Sequence, residues 1–134
     1  MDFYRDDSIE EIFDVSGGDL ANEVIPWLDY DVIARSGKRF WGYSDLTCVI
    51  NAIHAQTGRP SMLYQARFLI GSDGLGQRAR FQNGTLERFE YRFLRGERME
   101  GTVVGGNVRC LLKLAGTPYW PDIRGKILLL EGLV

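Results

Sequence analysis

Lys38-Arg39-Phe40-Trp41, Gly42-Tyr43-Ser44-Asp45 and Leu46-Thr47-Cys48-Val49-Ile50-Asn51-Ala52-Ile53-His54 form the stretch on which the fold turns. The first four residues predict a short strand, and Gly42-Tyr43-Ser44 a turn. Leu46, Val49, Ile50 and Ile53 then recur at i, i+3, i+4 and i+7, one face of an α-helix. Ser44 or Asp45 is read as the cap of that helix, and Gly58 followed by Pro60 as its end.

Working outward, Ile9 to Val15 predicts a strand broken by Ser16-Gly17-Gly18. Asp19 is placed as the N-cap of a helix through Leu20, Val24, Ile25 and Trp27, kept short by Pro26. A second short helix is expected from Asp31 to Arg35, ending near Gly37, and a strand from Ser61 to Tyr64. Strands alternating with helices imply a parallel sheet with helical crossovers. The expected fold class is therefore α/β: a partial parallel sheet with flanking helices over residues 1–64, as part of an N-terminal domain.

The second half changes character. Residues 65–99 are expected to form a loop-rich connection, in which Gly71, Gly74 and Gly76 fit neither a dinucleotide nor a P-loop pattern. Phe89 to Leu94 alternates apolar and charged residues and is a candidate strand. Residues 100–134 are expected to begin a second, mixed α/β C-terminal domain. It would comprise a strand at Gly101 to Val104, a helix opened by Gly105-Gly106-Asn107, and a strand at Lys126 to Glu131. Ile127 to Leu130 is an unbroken apolar run, which predicts a strand buried on both faces. So buried a strand close to the last residue leads to the expectation that the chain is a fragment of a longer protein.

Composition bounds the function classes. Of 134 residues, 45% are hydrophobic and 25% charged, the balance of a globular chain. Sixteen basic against eighteen acidic residues leave no basic footprint for nucleic acid. No apolar run approaches the ~20 residues of a membrane span, and no secretion signal opens the sequence, so a cytoplasmic protein is expected. Cys48 and Cys110 are read as buried free thiols, since neither has a second Cys or His at metal-ligand spacing.

Three features bear on chemistry. Val15-Ser16-Gly17-Gly18-Asp19 is a glycine turn between a strand and a helix, a place where backbone N–H groups can meet an anion. His54 is the sole histidine, and it sits at the edge of the apolar stripe, where a boundary role outweighs a catalytic one. Glu131 ends a buried apolar strand, so it is either held by a partner or functional.

Gly17-Gly18, Pro26-Trp27-Leu28-Asp29-Tyr30-Asp31, Lys38 and Gly42-Tyr43-Ser44-Asp45-Leu46-Thr47, taken with Glu100-Gly101, Gly105-Gly106-Asn107, Gly116-Thr117-Pro118-Tyr119 and Gly125-Lys126-Ile127-Leu128-Leu129-Leu130-Glu131, resemble the LD-carboxypeptidases. That family includes the microcin C immunity peptidases. The resemblance implies a two-domain serine peptidase with a Ser-His-Glu triad that cleaves an L,D-amide in muropeptides or a related peptide bond. It implies no metal and no organic cofactor. It places the nucleophile just after the Gly-Gly pair, where this chain has Ala21, and it assigns the Asn22 N–H to the oxyanion hole. Glu131 falls at the triad acid, and the histidine is implied further downstream.

Alanine cannot form an acyl-enzyme, so this placement leaves two functions open: a peptidase needing more than this chain, or an inactive relative that binds peptide or muropeptide. An interaction module is a third class. Ser16 is read as a turn residue, Ser44 and Asp45 as helix caps, and His54 as out of reach of Ala21. The expected partners are a peptide or muropeptide and a second copy of the chain, with no nucleic acid and no membrane.

Overall fold

The computed structural model describes residues 1–86 and 90–132. Its first sheet contains β1 (Glu11–Phe13), β2 (Arg39–Gly42) and β3 (Met62–Leu63), in that spatial order. A second sheet pairs β4 (Val103–Asn107) with β5 (Ile127–Glu131). Every pairing is parallel, with Phe13 opposite Trp41, Trp41 opposite Met62, and Asn107 opposite Glu131. The α-helices are α1 (Asp2–Arg5), ahead of β1, and α2 (Tyr30–Ser36), α3 (Thr47–Thr57), α4 (Gly74–Gln82) and α5 (Val108–Leu112) between the strands. The mixed α/β architecture with a small parallel sheet is the one the alternation predicts.

The helix α3 is the hub. Its stripe of Leu46, Val49, Ile50 and Ile53 is buried as expected, but so are Thr47, Cys48, Asn51 and Ala52. One apolar face reaches the core with Ile25, Ile33 and Leu114. Polar residues are buried too because the β4–α5 unit packs on α3 and satisfies them. Asn51 acts as a stand-in strand: its Nδ2 donates to the Gly105 carbonyl and its Oδ1 accepts from the Gly105 N–H, both at 2.8 Å. Thr47 Oγ1 accepts from the Asn107 N–H at 3.0 Å. Cys48 and Cys110 are free and buried, and burial, foremost, pushes the Cys48 thiol up to about 11, which makes it unreactive.

Several expectations need correction. The first strand is three residues, not Ile9 to Val15, because only Glu11–Phe13 pairs with β2. The helix capped by Asp19 is a 3₁₀ stretch, Ala21–Trp27, with no side-chain cap. Pro26 lies inside it; lacking an N–H and crowding the preceding turn, it stops α-helical bonding from propagating. Asp19 instead meets Arg109 and Lys113. Ser44 and Asp45 do not cap α3, whose start has no side-chain cap.

Gly74 and Gly76, expected in a flexible loop, open α4. A Cβ at Gly74 would lie 2.8 Å from the Leu69 carbonyl oxygen, and one at Gly76 2.7 Å from an Asp73 carboxylate oxygen, so the glycines admit close packing. The helix then docks Phe81 on Phe13 and Trp41. Glu90 to Leu94 forms no strand, and Phe89 lies outside the described residues.

The strand β5 exists but is not buried on both faces: Leu128, Leu129 and Leu130 are 43%, 43% and 54% exposed. It pairs only with β4, so among the described residues nothing covers its far edge. No helix is long and apolar enough to cross a membrane among them.

Candidate functional site

The end of β2 delivers the chain into an abrupt turn. Tyr43 is extended, with φ −146°. Ser44 then sits at φ +56°, alone among the described non-glycine residues in having a positive φ. Helical geometry starts immediately after it. An L-residue in this left-handed region costs roughly 1–2 kcal/mol. Gly42 makes the turn possible, since a Cβ there would lie 2.7 Å from the Leu46 Cβ. Strand end and helix start therefore pack closer than any side chain at Gly42 would permit.

Asp45 follows the serine and is only 3% exposed. Its Oδ2 accepts from the Ala21 N–H at 3.0 Å, and its Oδ1 lies 3.6 Å from Lys113 Nζ. Lys113 also donates to the Asp19 carbonyl, and Asp19 pairs with Arg109 at 2.8 Å. Gly18 lies against the same carboxylate, with a built Cβ 3.8 Å from Asp45 Oδ2. One buried aspartate thus pins the Gly17–Ala21 segment beside Ser44, and Lys113 ties both to the region of α5. Asn22 follows in the 3₁₀ stretch and is half-buried.

Glu131 reaches the same turn from the second sheet. The Tyr43 hydroxyl donates to Glu131 Oε2 at 2.8 Å. That hydrogen bond, first, with burial and the Glu131 charge behind it, holds the Tyr43 phenol above its ordinary value. Ser44 is therefore preceded by a tyrosine bound to Glu131 and followed by an aspartate bound to the Ala21 N–H.

His54 is elsewhere. It stands near the opposite end of α3, about 15 Å along the helix axis from the turn at Ser44, and its Nε2 lies 2.9 Å from Lys126 Nζ. Burial, first, and the Lys126 charge hold the imidazole below its ordinary value of 6.5. The neutral ring accepts from the ammonium. The fold then binds fewer protons than the unfolded chain near and below pH 6.5. Stability is expected to be fully present above that pH and to fall as the solution is acidified through the lowered folded value. Urea midpoints of wild type and His54→Gln between pH 7.5 and 5 check this; equal acid slopes in the two would refute it.

A groove of about 710 Å³ beside this histidine is lined by Trp41, Asn51, Tyr64, Leu86 and Val104 among others, and includes none of Ser44, Ala21 and Glu131. Among the described residues no three His, Cys, Asp or Glu side chains gather as a metal site requires.

The sequence reading took Ser44 and Asp45 for helix caps and gave Tyr43 and Lys113 no role. The available signal was a glycine two residues before a serine, between an apolar strand and an amphipathic helix. A serine on a strained strand-to-helix turn at the C-terminal end of a parallel sheet is how α/β serine hydrolases present a nucleophile. The N–H of the residue after it, here Asp45, is the position those folds use to meet an oxyanion.

Comparison with known proteins places the chain in a family. The LD-carboxypeptidase N-terminal domain matches residues 1–64 and the LD-carboxypeptidase C-terminal domain residues 100–134. A probable murein peptide carboxypeptidase of Bacillus subtilis is 29% identical over 98% of this chain and 45% of its own length. The microcin C7 self-immunity protein MccF of Escherichia coli is 27% identical over 97% of this chain and 54% of its own. Among solved structures, a muramoyltetrapeptide carboxypeptidase from Oxalobacter formigenes superposes with a TM-score of 0.76 at 26% identity, covering 98% of this chain and 48% of that one. The chain belongs to the LD-carboxypeptidase family. It spans about half the length of the curated relatives it matches.

Proposed function

We propose that this chain carries the nucleophile-bearing part of an LD-carboxypeptidase-type serine hydrolase, with Ser44 as the attacking group and a muropeptide or related peptide as substrate. The observation that carries the proposal is the φ of +56° at Ser44, directly after β2. Folds keep such strain where it positions a reacting group. In this reading Ala21 is not the nucleophile. It supplies a backbone N–H that orients the Asp45 carboxylate, and that bond fixes the Gly-Gly segment against the turn. Ser44 Oγ attacks the scissile carbonyl carbon, and the Asp45 N–H meets the oxyanion, with Asn22 as a second candidate donor. Glu131 serves as the acid of the triad and is held at the turn by Tyr43. His54, bound to Lys126, does not supply the base. A base from a further segment of the longer protein completes the site, takes the serine proton and passes it to the leaving amine.

The test is labelling of the full-length protein with an alkyl fluorophosphonate, followed by peptide mapping. An adduct on Ser44 is expected. A second reading, a relative that binds peptide without turnover, draws support from the absence of a histidine at the turn among the described residues. Peptide binding without any adduct would favour it and would sink the first.

The uncovered leucines of β5 support a further proposal, that the isolated chain self-associates through this edge. Sedimentation of wild type is expected to show concentration-dependent association that Leu129→Lys suppresses. A monomer at all concentrations would rule this out.

A further inference from the structure

The 3₁₀ stretch Ala66–Ile70 lies between the two family matches, yet it is built against the Ser44 turn. The half-exposed Phe68 ring packs on Tyr43 and Tyr64, with centroids 6.4 and 6.2 Å apart. Its neighbour Arg67 reaches the other way and places Nη2 3.5 Å from the Val15 carbonyl oxygen. Gln65 Oε1 accepts from the Arg67 N–H and so orients the start of the stretch.

Val15 and Ser44 leave the C-terminal ends of paired neighbouring strands, because Phe13 lies opposite Trp41 and the Asp14 N–H donates to the Trp41 carbonyl. Gly18, three residues after Val15, lies against Asp45. Three residues span at most about 11 Å. A guanidinium at one end of this short segment and the serine turn at its other end thus border the same end of the sheet, and Phe68, next to Arg67, packs on Tyr43, next to Ser44. Among the described residues Arg67 is exposed and no carboxylate is paired with it. The other cations tied to this region are already engaged: Lys113 by Asp45 and Asp19, and Arg109 by Asp19.

We infer that Arg67 binds the terminal carboxylate of a peptide whose scissile carbonyl is seated at Ser44, and so makes the site select free C-termini. The inference rests on the proposed function of the Ser44 turn. A guanidinium matches a carboxylate with two parallel N–H donors, a geometry an amide cannot reciprocate. A site holding an unpaired cation discriminates against a ligand without the matching anion. Here Arg67 acts on binding and specificity, with no part in bond making.

The experiment compares acetyl-L-lysyl-D-alanine with its C-terminal amide, by ligand-observed NMR titration against the chain and against Arg67→Gln and Arg67→Lys. Wild type is expected to prefer the carboxylate about tenfold or more, the worth of one charge-assisted pair. Arg67→Gln should erase that preference and leave affinity for the amide unchanged; Arg67→Lys should restore part of it. A preference that survives Arg67→Gln overturns the assignment of Arg67 while leaving the Ser44 site standing. Equal weakening of both peptides by Arg67→Gln reduces Arg67 to a support for the Val15 segment and also overturns it. Binding of neither peptide by wild type, together with no phosphonate adduct on Ser44 in the full-length protein, overturns the site and this inference with it.

Discussion

Gly105→Ala is expected to disrupt the β4–β5 pairing and its docking on α3, and to destabilise the chain by about 2–6 kcal/mol, backbone strain and steric clash together. Gly105 has φ +112°, and a Cβ built there would lie 2.1 Å from the Leu129 carbonyl oxygen. That atom is backbone in the paired strand, so the ladder itself has to move. The shift would also pull the Gly105 N–H and carbonyl away from Asn51, leaving buried polar groups unpaired at about 1–3 kcal/mol each. Against a total stability of roughly 5–15 kcal/mol, such a loss is large.

Gly58→Ala is the control. Its φ is +68°, but nothing lies within 4 Å of the added Cβ, so a cost of only ~1–2 kcal/mol is expected. Thermal melts of the two variants check the difference. Undocking β5 would also release Glu131 from Tyr43, so the Tyr43 phenol should titrate lower in Gly105→Ala than in wild type. Similar melting of Gly105→Ala and wild type would show that β4, β5 and α3 are not joined in this way.

Ser44→Ala, in a protein that carries the base proposed above, is expected to remove essentially all peptide turnover, a loss on the order of 10⁶-fold if the serine is the nucleophile. Glu131→Gln should cost about 10⁴-fold, the scale for an orienting acid. Ala21→Ser should add nothing, because Ala21 packs against the apolar core and its N–H already serves Asp45. Ser44→Gly provides an independent readout. Glycine populates positive φ freely, so this change should stabilise the chain by ~1 kcal/mol while abolishing turnover. A serine kept at a strained angle only for structure would show no such opposition between stability and activity. Full turnover by Ser44→Ala would sink the assignment.

Much of the architecture was legible beforehand because it depends on local order along the chain. The recurrence of Leu46, Val49, Ile50 and Ile53 defines α3 whatever surrounds it, and Gly58 ends it in a left-handed turn that glycine favours. Asn107 caps α5 through its own side chain, accepting from the Cys110 N–H at 3.2 Å. Alternating strands and helices imply parallel pairing because the crossovers permit little else. The spacing of Gly42-Tyr43-Ser44-Asp45 and Gly105-Gly106-Asn107 likewise carried the family resemblance without coordinates.

Tertiary packing decided what spacing could not express. A capping serine and a serine on an elbow occupy the same place in sequence, before an amphipathic helix; they differ in φ, and the close approach of Gly42 to Leu46 accompanies the positive φ at Ser44. Asp45 and Ala21 are 24 residues apart and meet only because the Gly-Gly segment folds back on the turn. Glu131 and Tyr43 lie 88 residues apart and meet through the docking of one sheet on α3. The apolar run of β5 could not report its own exposure, because burial depends on what lies beside a strand. Residue order therefore determined the elements and their pairing sense, whereas the carboxylates gathered around Ser44 and the uncovered edge of β5 were decided by how segments distant in sequence pack.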